Sequence, residues 1–220
     1  MDVTETLDAK TRRAWRSWLA EHHRSKSEIW LLLRPEPGTL TDDGARRFLT
    51  ASGGSGRTLT DDGTRRFLTY LDAVEEALCF GWIDGIAKRH ETGAIAQRFT
   101  PRRPKSTWTE LNKERARRLL AAGQMTEAGR ARLPDLQETA LVVPEDLAER
   151  LRREPGAWEF FEAFPVLYKR VRLGYIEEMR RRNPDEWERR AAHFIAKTAK
   201  NERFGNWDDS GLPRTALDDG

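Results

Sequence analysis

The chain has 220 residues and a mass of 25.4 kDa, enough to bury one substantial core or two small ones. Charged residues make up 34% against 38% hydrophobic, but eight Trp and nine Phe add large apolar area, so a folded protein with a heavily charged surface is expected. Cys79 is the single cysteine, which excludes an intrachain disulfide and a thiolate metal cluster and fits a reducing compartment.

Met1 to Trp15 is charged and holds no apolar secretory core. No run of apolar residues is long enough to span a bilayer. Neither export nor a membrane span is therefore expected, and the cytoplasm is the expected location.

In chain order, Asp8 to His23 reads as a helix with Asp8 as its cap and Ala14, Trp15, Trp18 and Leu19 as its apolar stripe. Glu28 to Arg34 is a short apolar run, expected as a buried strand ended by Pro35 and Pro37. Thr39–Thr50 returns almost unchanged as Thr58–Thr69, nineteen residues on, joined by a Gly/Ser-rich stretch. Two short copies do not make a solenoid, so a duplicated surface-loop insertion over 36–69 is expected.

Leu71 to Cys79 has helical spacing of Leu71, Val74, Ala77 and Leu78, with Gly81 as its breaker. Trp82–Arg89 and Ala94–Arg102 predict a hairpin turning at Glu91-Thr92-Gly93. Thr107 and Glu110 have capping-box spacing ahead of a helix from Trp108 to Ala122, and Thr126 is placed to cap a shorter helix. Four helices are expected in the last third. They open at Pro144, Pro155 and Val166, and at Asn183-Pro184, which pairs an N-cap with an N1 proline.

The expected fold is α+β and mostly helical. A small antiparallel sheet of about three strands packs with helices, and the C-terminal half is helical. The expected organisation is an α+β core over 1–134, a helical subdomain over 135–207 and a flexible tail over 208–220.

The net charge of +3 is unevenly placed: Ala87 to Arg118 holds ten Lys/Arg against three Glu, so the rest of the chain is net acidic. Within it, Arg98, Arg102, Arg103 and Lys105 lie in a proline-stiffened stretch that runs into a helix start. Guanidinium forks and helix-start amides suit a phosphate, a carboxylate or a nucleic-acid backbone. Strand alternation places Arg98 and Arg102 on one face. The same residues also suit a solvated basic surface laced with salt bridges.

Asp84, in the turn-rich CFGWIDG run of Cys79–Gly85, is a candidate general base or ligand contact, or else it satisfies turn amides. Trp82, Phe99 and Trp108 interleave with the basic residues as stacking platforms or as core. Arg180–Arg182 with Arg189 and Arg190 form a second basic cluster, read first as helix-end charge compensation. His22, His23, His90 and His193 have no metal-ligand spacing, and Cys79 reads as a buried, inert thiol. No metal and no cofactor are expected.

EEALCFGWIDG (Glu75–Gly85), QRFTPRRPKSTW (Gln97–Trp108), LNKERARRLLAAGQMTEAG (Leu111–Gly129) and the closing ERRAAHFIAKTAKNER (Glu188–Arg203) carry a family resemblance. In order and spacing they resemble the bacterial YdeI/OmpD-associated family, also called bacteriocin-protection proteins. The duplicated insert is a departure from it. The resemblance implies stress response and resistance to bacteriocins or cationic antimicrobial peptides, and it supplies no catalytic residues. A basic patch repels cationic peptides, so any protection would be indirect.

The reading is a non-enzymatic binder with a basic anion-binding surface built from Arg98, Arg102, Arg103, Lys105 and Asn112, with Trp82, Asp84 and Trp108 close by. One alternative is an enzyme acting on a small anionic or phosphorylated metabolite, with Asp84 as acid/base. Another is a nucleic-acid-binding accessory protein.

Overall fold

The computed structural model describes residues 2–33, 68–137, 140–205 and 207. The duplicated insert, apart from Leu68 and Thr69, and the expected tail lie outside the described residues. The described chain forms two compact units, one drawn from 1–106 and 115–134, the other from 107–114 and 135–209.

The first unit is α on β. Its four strands are β1 (Thr6–Leu7), β2 (Ile29–Leu33), β3 (Trp82–Arg89) and β4 (Ile95–Pro101), in sheet order β1-β2-β4-β3. β1 pairs parallel with β2, and the other pairings are antiparallel. The sheet is therefore mixed and has one strand more than the pattern foretold, because a two-residue strand carries no periodicity to read. β2 is buried on both faces, which is why it reads as an unbroken apolar run.

Ile29, Leu31 and Leu33 pair with Phe99, Gln97 and Ile95 on one face. Helix α1 (Arg12–His22) packs there, with the Trp15 ring 5.3 Å from Phe99. Trp30, Leu32, Ala94 and Ala96 form a smaller cluster on the other face. α1 starts later than the sequence pattern indicates. Thr11 is the residue that caps it, accepting from the Ala14 amide, and Asp8 lies three residues upstream.

α2 (Tyr70–Cys79) is buried along nearly its whole length and carries a complete Thr69–Asp72 capping box. It ends at Gly81, whose φ of +74° excludes most side chains; a Cβ there would also lie 2.9 Å from the Ala128 carbonyl oxygen. The β3–β4 register slips between Asp84 and Ala87, and the buried Gln97 amide donates to the Gly85 carbonyl at 2.9 Å inside that bulge.

α3 (Glu110–Ala121) begins two residues late. Thr109, not Thr107, accepts from the Asn112 amide at 3.2 Å, and Glu110 pairs with Lys113 at 2.7 Å. Residues of α3 up to Glu114 belong to the second unit and those from Arg115 to the first. Thr126 caps α4 (Glu127–Arg130) and donates its hydroxyl to the Cys79 carbonyl at 2.5 Å.

In the second unit, α5 (Glu145–Arg153), α6 (Ala157–Ala163), α7 (Val166–Glu177) and α8 (Pro184–Thr198) enclose a core that includes Leu151, Phe161, Tyr168, Ile176 and Phe194. Asn183 caps α8 with Pro184 in its first turn, as its sequence requires. Pro144 is the cap residue of α5 rather than its first turn, Gly156 rather than Pro155 precedes α6, and α7 opens at Val166 as expected. No helix among the described residues is long and apolar enough to cross a membrane.

Candidate functional site

Six of the eight sequence-derived site residues lie in the first unit, and β3, β4 and the following turn set their directions. Trp82 is core: it is 1% exposed, its indole donates to the His23 carbonyl at 3.2 Å, and its ring meets Trp18 edge-on. Asp84 faces Phe99 across the β3–β4 pair, on the helix-covered side. Its Oδ2 accepts from the Tyr70 hydroxyl at 2.7 Å. Asp84 is thus held by a side chain of α2 and is half-buried.

Arg98 pairs with Trp30 and points to the opposite face. Its guanidinium clasps Glu28 Oε2, with Nε at 2.8 Å and Nη2 at 2.5 Å. Arg98 is therefore held in an ion pair on that face. Glu28 is held below the usual carboxylate range, first by the Thr4 hydroxyl and then by Arg98.

Arg102 is 2% exposed. Its amide donates to the Gly81 carbonyl at 2.8 Å, and Nη1 reaches the Ser106 hydroxyl at 3.2 Å. Burial pushes its pKa down to about 10, against an upward pull from Asp84. Arg103 and Lys105, in contrast, are exposed on the turn that Arg102 and Ser106 bracket. Lys105 adopts a φ of +61°, rare for a residue with a side chain. The proposed face is therefore divided: Arg98 is neutralised, Arg102 is a buried brace, and Arg103 and Lys105 reach solvent. Trp108, half-buried, and Asn112, 7% exposed, belong to the second unit.

Sequence reasoning missed the main buried charge cluster. Asp72, Glu75 and Glu76 stand at helical spacing on the otherwise apolar α2. Arg12, 6% exposed, meets Glu76 at 2.6 Å, Glu75 at 3.2 Å and Asp72 at 3.3 Å. Arg16 adds a second contact to Glu76 at 2.6 Å and donates to the Gln124 carbonyl. Burial pulls the Arg12 pKa down, but Glu76 and then its neighbours raise it further, so the guanidinium sits above its ordinary value. The readable signal was three acids within five residues of an apolar helix, which demands cationic partners. Cys79, at the end of that helix, is buried, and burial followed by Glu76 pushes its thiol up to about 12. A thiol so raised is a poor nucleophile.

In the second basic cluster, Arg180 bonds both Asp146 and Glu177 and lies 4.4 Å over the Trp187 ring, and Arg182 pairs with Glu178 at 2.9 Å. Arg189 and Arg190 share Glu186. Each of these four arginines is thus engaged with a carboxylate.

Comparison with protein families separates the two halves. Residues 140–201 match the family described as Bacteriocin-protection, YdeI or OmpD-Associated. This stretch of the chain is similar to the YdeI/OmpD-associated domain. That domain covers α5 to α8 and most of the closing run Glu188–Arg203 in which the resemblance was read. The central runs from Glu75 to Gly129 fall instead within residues 57–132, which match a domain of unknown function (DUF8412). No curated protein and no solved structure is a match for the chain.

Proposed function

We propose that the chain is a non-enzymatic stress- or bacteriocin-protection protein of the YdeI/OmpD-associated type that binds an anionic ligand or polyanion at the Arg103–Lys105 turn. One observation carries this reading: in the most basic segment of the chain, these two cations are exposed and have no ion-pair partner among the described residues. Pro101 and Pro104 stiffen the turn, and the Arg102–Ser106 bond spans it from the buried side. A cationic turn held in one shape meets a phosphate with less ordering cost than free side chains would. Arg102 anchors the turn through its amide on the Gly81 carbonyl.

The test is binding of labelled single- and double-stranded oligonucleotides across a salt series, with Arg103→Ala/Lys105→Ala alongside. The expected result is binding that weakens steeply with salt, with a slope smaller by about two in the double variant. Binding that the double variant leaves unchanged contradicts the reading.

A second reading has its own support. Asp84, fixed by Tyr70 and close enough to Arg102 to oppose the burial that lowers that guanidinium's pKa, has the makings of an acid/base group for a small phosphorylated metabolite. Turnover of a phosphate ester that Asp84→Asn abolishes would place this reading first.

A further inference from the structure

The Arg103–Lys105 turn has a defined backbone. The Ser106 amide donates to the Arg103 carbonyl at 3.2 Å, closing a four-residue turn with Pro104 and Lys105 at its centre. A φ of +61° at Lys105, directly after a proline, is the arrangement of a type II turn, whose third residue is ordinarily glycine or asparagine. A lysine in that place costs backbone strain and puts an ammonium at the tip. The turn hangs from Gly81, because the Arg102 amide donates to the Gly81 carbonyl at 2.8 Å.

A third cation comes to the same glycine from a distant part of the chain. Arg132 follows α4, and its amide donates to the Gly129 carbonyl at 3.0 Å. A Cβ on Gly81 would lie 2.8 Å from Arg132 Cγ and 3.4 Å from Arg132 Cβ. The arginine stem therefore fills the space that a side chain at Gly81 would need. Gly81 is thus the common neighbour of Arg132 and of the residue from which the turn departs. Arg130, two residues earlier, differs: its Nε donates to the Met125 carbonyl at 3.4 Å. Arg132 is exposed, like Arg103 and Lys105, and none of these three has an ion pair among the described residues.

We infer that the anion site at the turn extends past Gly81 to Arg132, and that its ligand is a chain of linked phosphates whose successive groups meet Lys105, Arg103 and Arg132. This rests on the reading of the turn as an anion site and adds to it a residue and a ligand class. The three side chains leave the backbone at three separate points. A ligand with phosphates at intervals meets each of them in place, whereas a single phosphate would have to draw three like charges together. Two of the three are guanidinium forks, each able to take two phosphate oxygens at once.

The test uses the full chain, with a labelled oligothymidylate and inorganic polyphosphate as the two sources of linked phosphates, and orthophosphate and poly-glutamate as comparisons. Arg132→Gln keeps most of the stem beside Gly81 and removes the charge; Arg130→Gln makes the same change of net charge two residues away. At low salt, Arg132→Gln is expected to weaken the linked phosphates several-fold and to lower the salt slope by about one, with Arg132→Lys restoring most of the binding. Arg130→Gln should have a smaller effect, and all three variants should keep the circular dichroism spectrum of the wild type. Binding of both probes with this ranking supports the inference, and binding of one alone with this ranking identifies the source of the phosphates. Orthophosphate or poly-glutamate binding as tightly as the linked phosphates overturns it. If Arg103→Ala/Lys105→Ala weakens binding but Arg132→Gln does no more than Arg130→Gln, the reading of the turn stands and its extension to Arg132 falls. A wild-type chain that binds none of the probes overturns both.

Discussion

Arg12 of the first unit meets three carboxylates within 3.3 Å, whereas Arg172, Arg189 and Arg190 of the second share the wall of one cavity with a single glutamate. Both sets are arginines on helices, and sequence alone does not separate them. Their partners do. Where buried acids match the guanidinium fork, the arginine is committed to holding α1 against α2. Arg189 and Arg190 instead share one carboxylate, and Arg172 and Arg190 lie against aromatic rings. A concentration of basic residues is therefore a weak guide to a binding surface until each fork's partner is known.

The sharpest way to break this contrast is to remove one carboxylate from each set. Glu76→Ala leaves Arg12 and Arg16 without their shared buried partner and should cost about 3–5 kcal/mol. Glu186→Gln removes a partly exposed acid and should move the urea midpoint far less, as the tryptophan fluorescence would report. Equal shifts for the two variants would mean that the two arginine sets are not different in kind.

Gly129→Ala probes the packing that holds α4 on α2. A Cβ at that position would collide with the Cys79 carbonyl and lie 2.6 Å from Met125 Sδ. Neither the carbonyl nor the capped helix start can move aside easily, so a loss of about 1–3 kcal/mol is expected from urea unfolding. A neutral substitution would show that α4 is loosely docked.

The Cys79 thiol supplies a smaller, pH-dependent effect. With the unfolded thiol near 9 and the folded one raised to about 12, the native chain keeps a proton that the unfolded chain releases between those values. Its contribution to stability is complete below pH 9 and falls by at most about 1.4 kcal/mol per pH unit as pH rises above it. Urea midpoints at pH 8 and pH 10.5 should therefore separate more for the wild type than for Cys79→Ala. The same burial predicts that iodoacetamide labels Cys79 only after denaturant is added. Rapid labelling of the native chain at pH 7.5 would contradict the burial.

Much of the frame was legible in the sequence. Period-3.6 spacing located α2, Asn183-Pro184 located α8, and the Glu91-Thr92-Gly93 turn located the hairpin, because each is fixed by local chemistry. β1 was invisible because two residues have no period. The ion pair of Arg98 was not readable for a different reason. Alternation gives a side chain's face but not its partner, and Glu28, seventy residues before Arg98, was the partner. Arg102 lies beyond Pro101, where strand alternation no longer applies. The cavity of the second unit was half readable: Arg189 and Arg190 stood out as charges, but Tyr175 and Phe204 join them only through the packing of α7 and the chain after α8.

The most direct test of the proposed function follows arginine Nε–Hε resonances of the isotopically labelled chain during titration with a short single-stranded oligonucleotide at low salt. The Arg103 signal should shift progressively, while those of Arg98 and Arg12, held by Glu28 and by the Asp72–Glu75–Glu76 set, should stay in place. A titration that moves Arg98 or Arg12 and leaves Arg103 unmoved would contradict the division of these arginines into structural and binding groups.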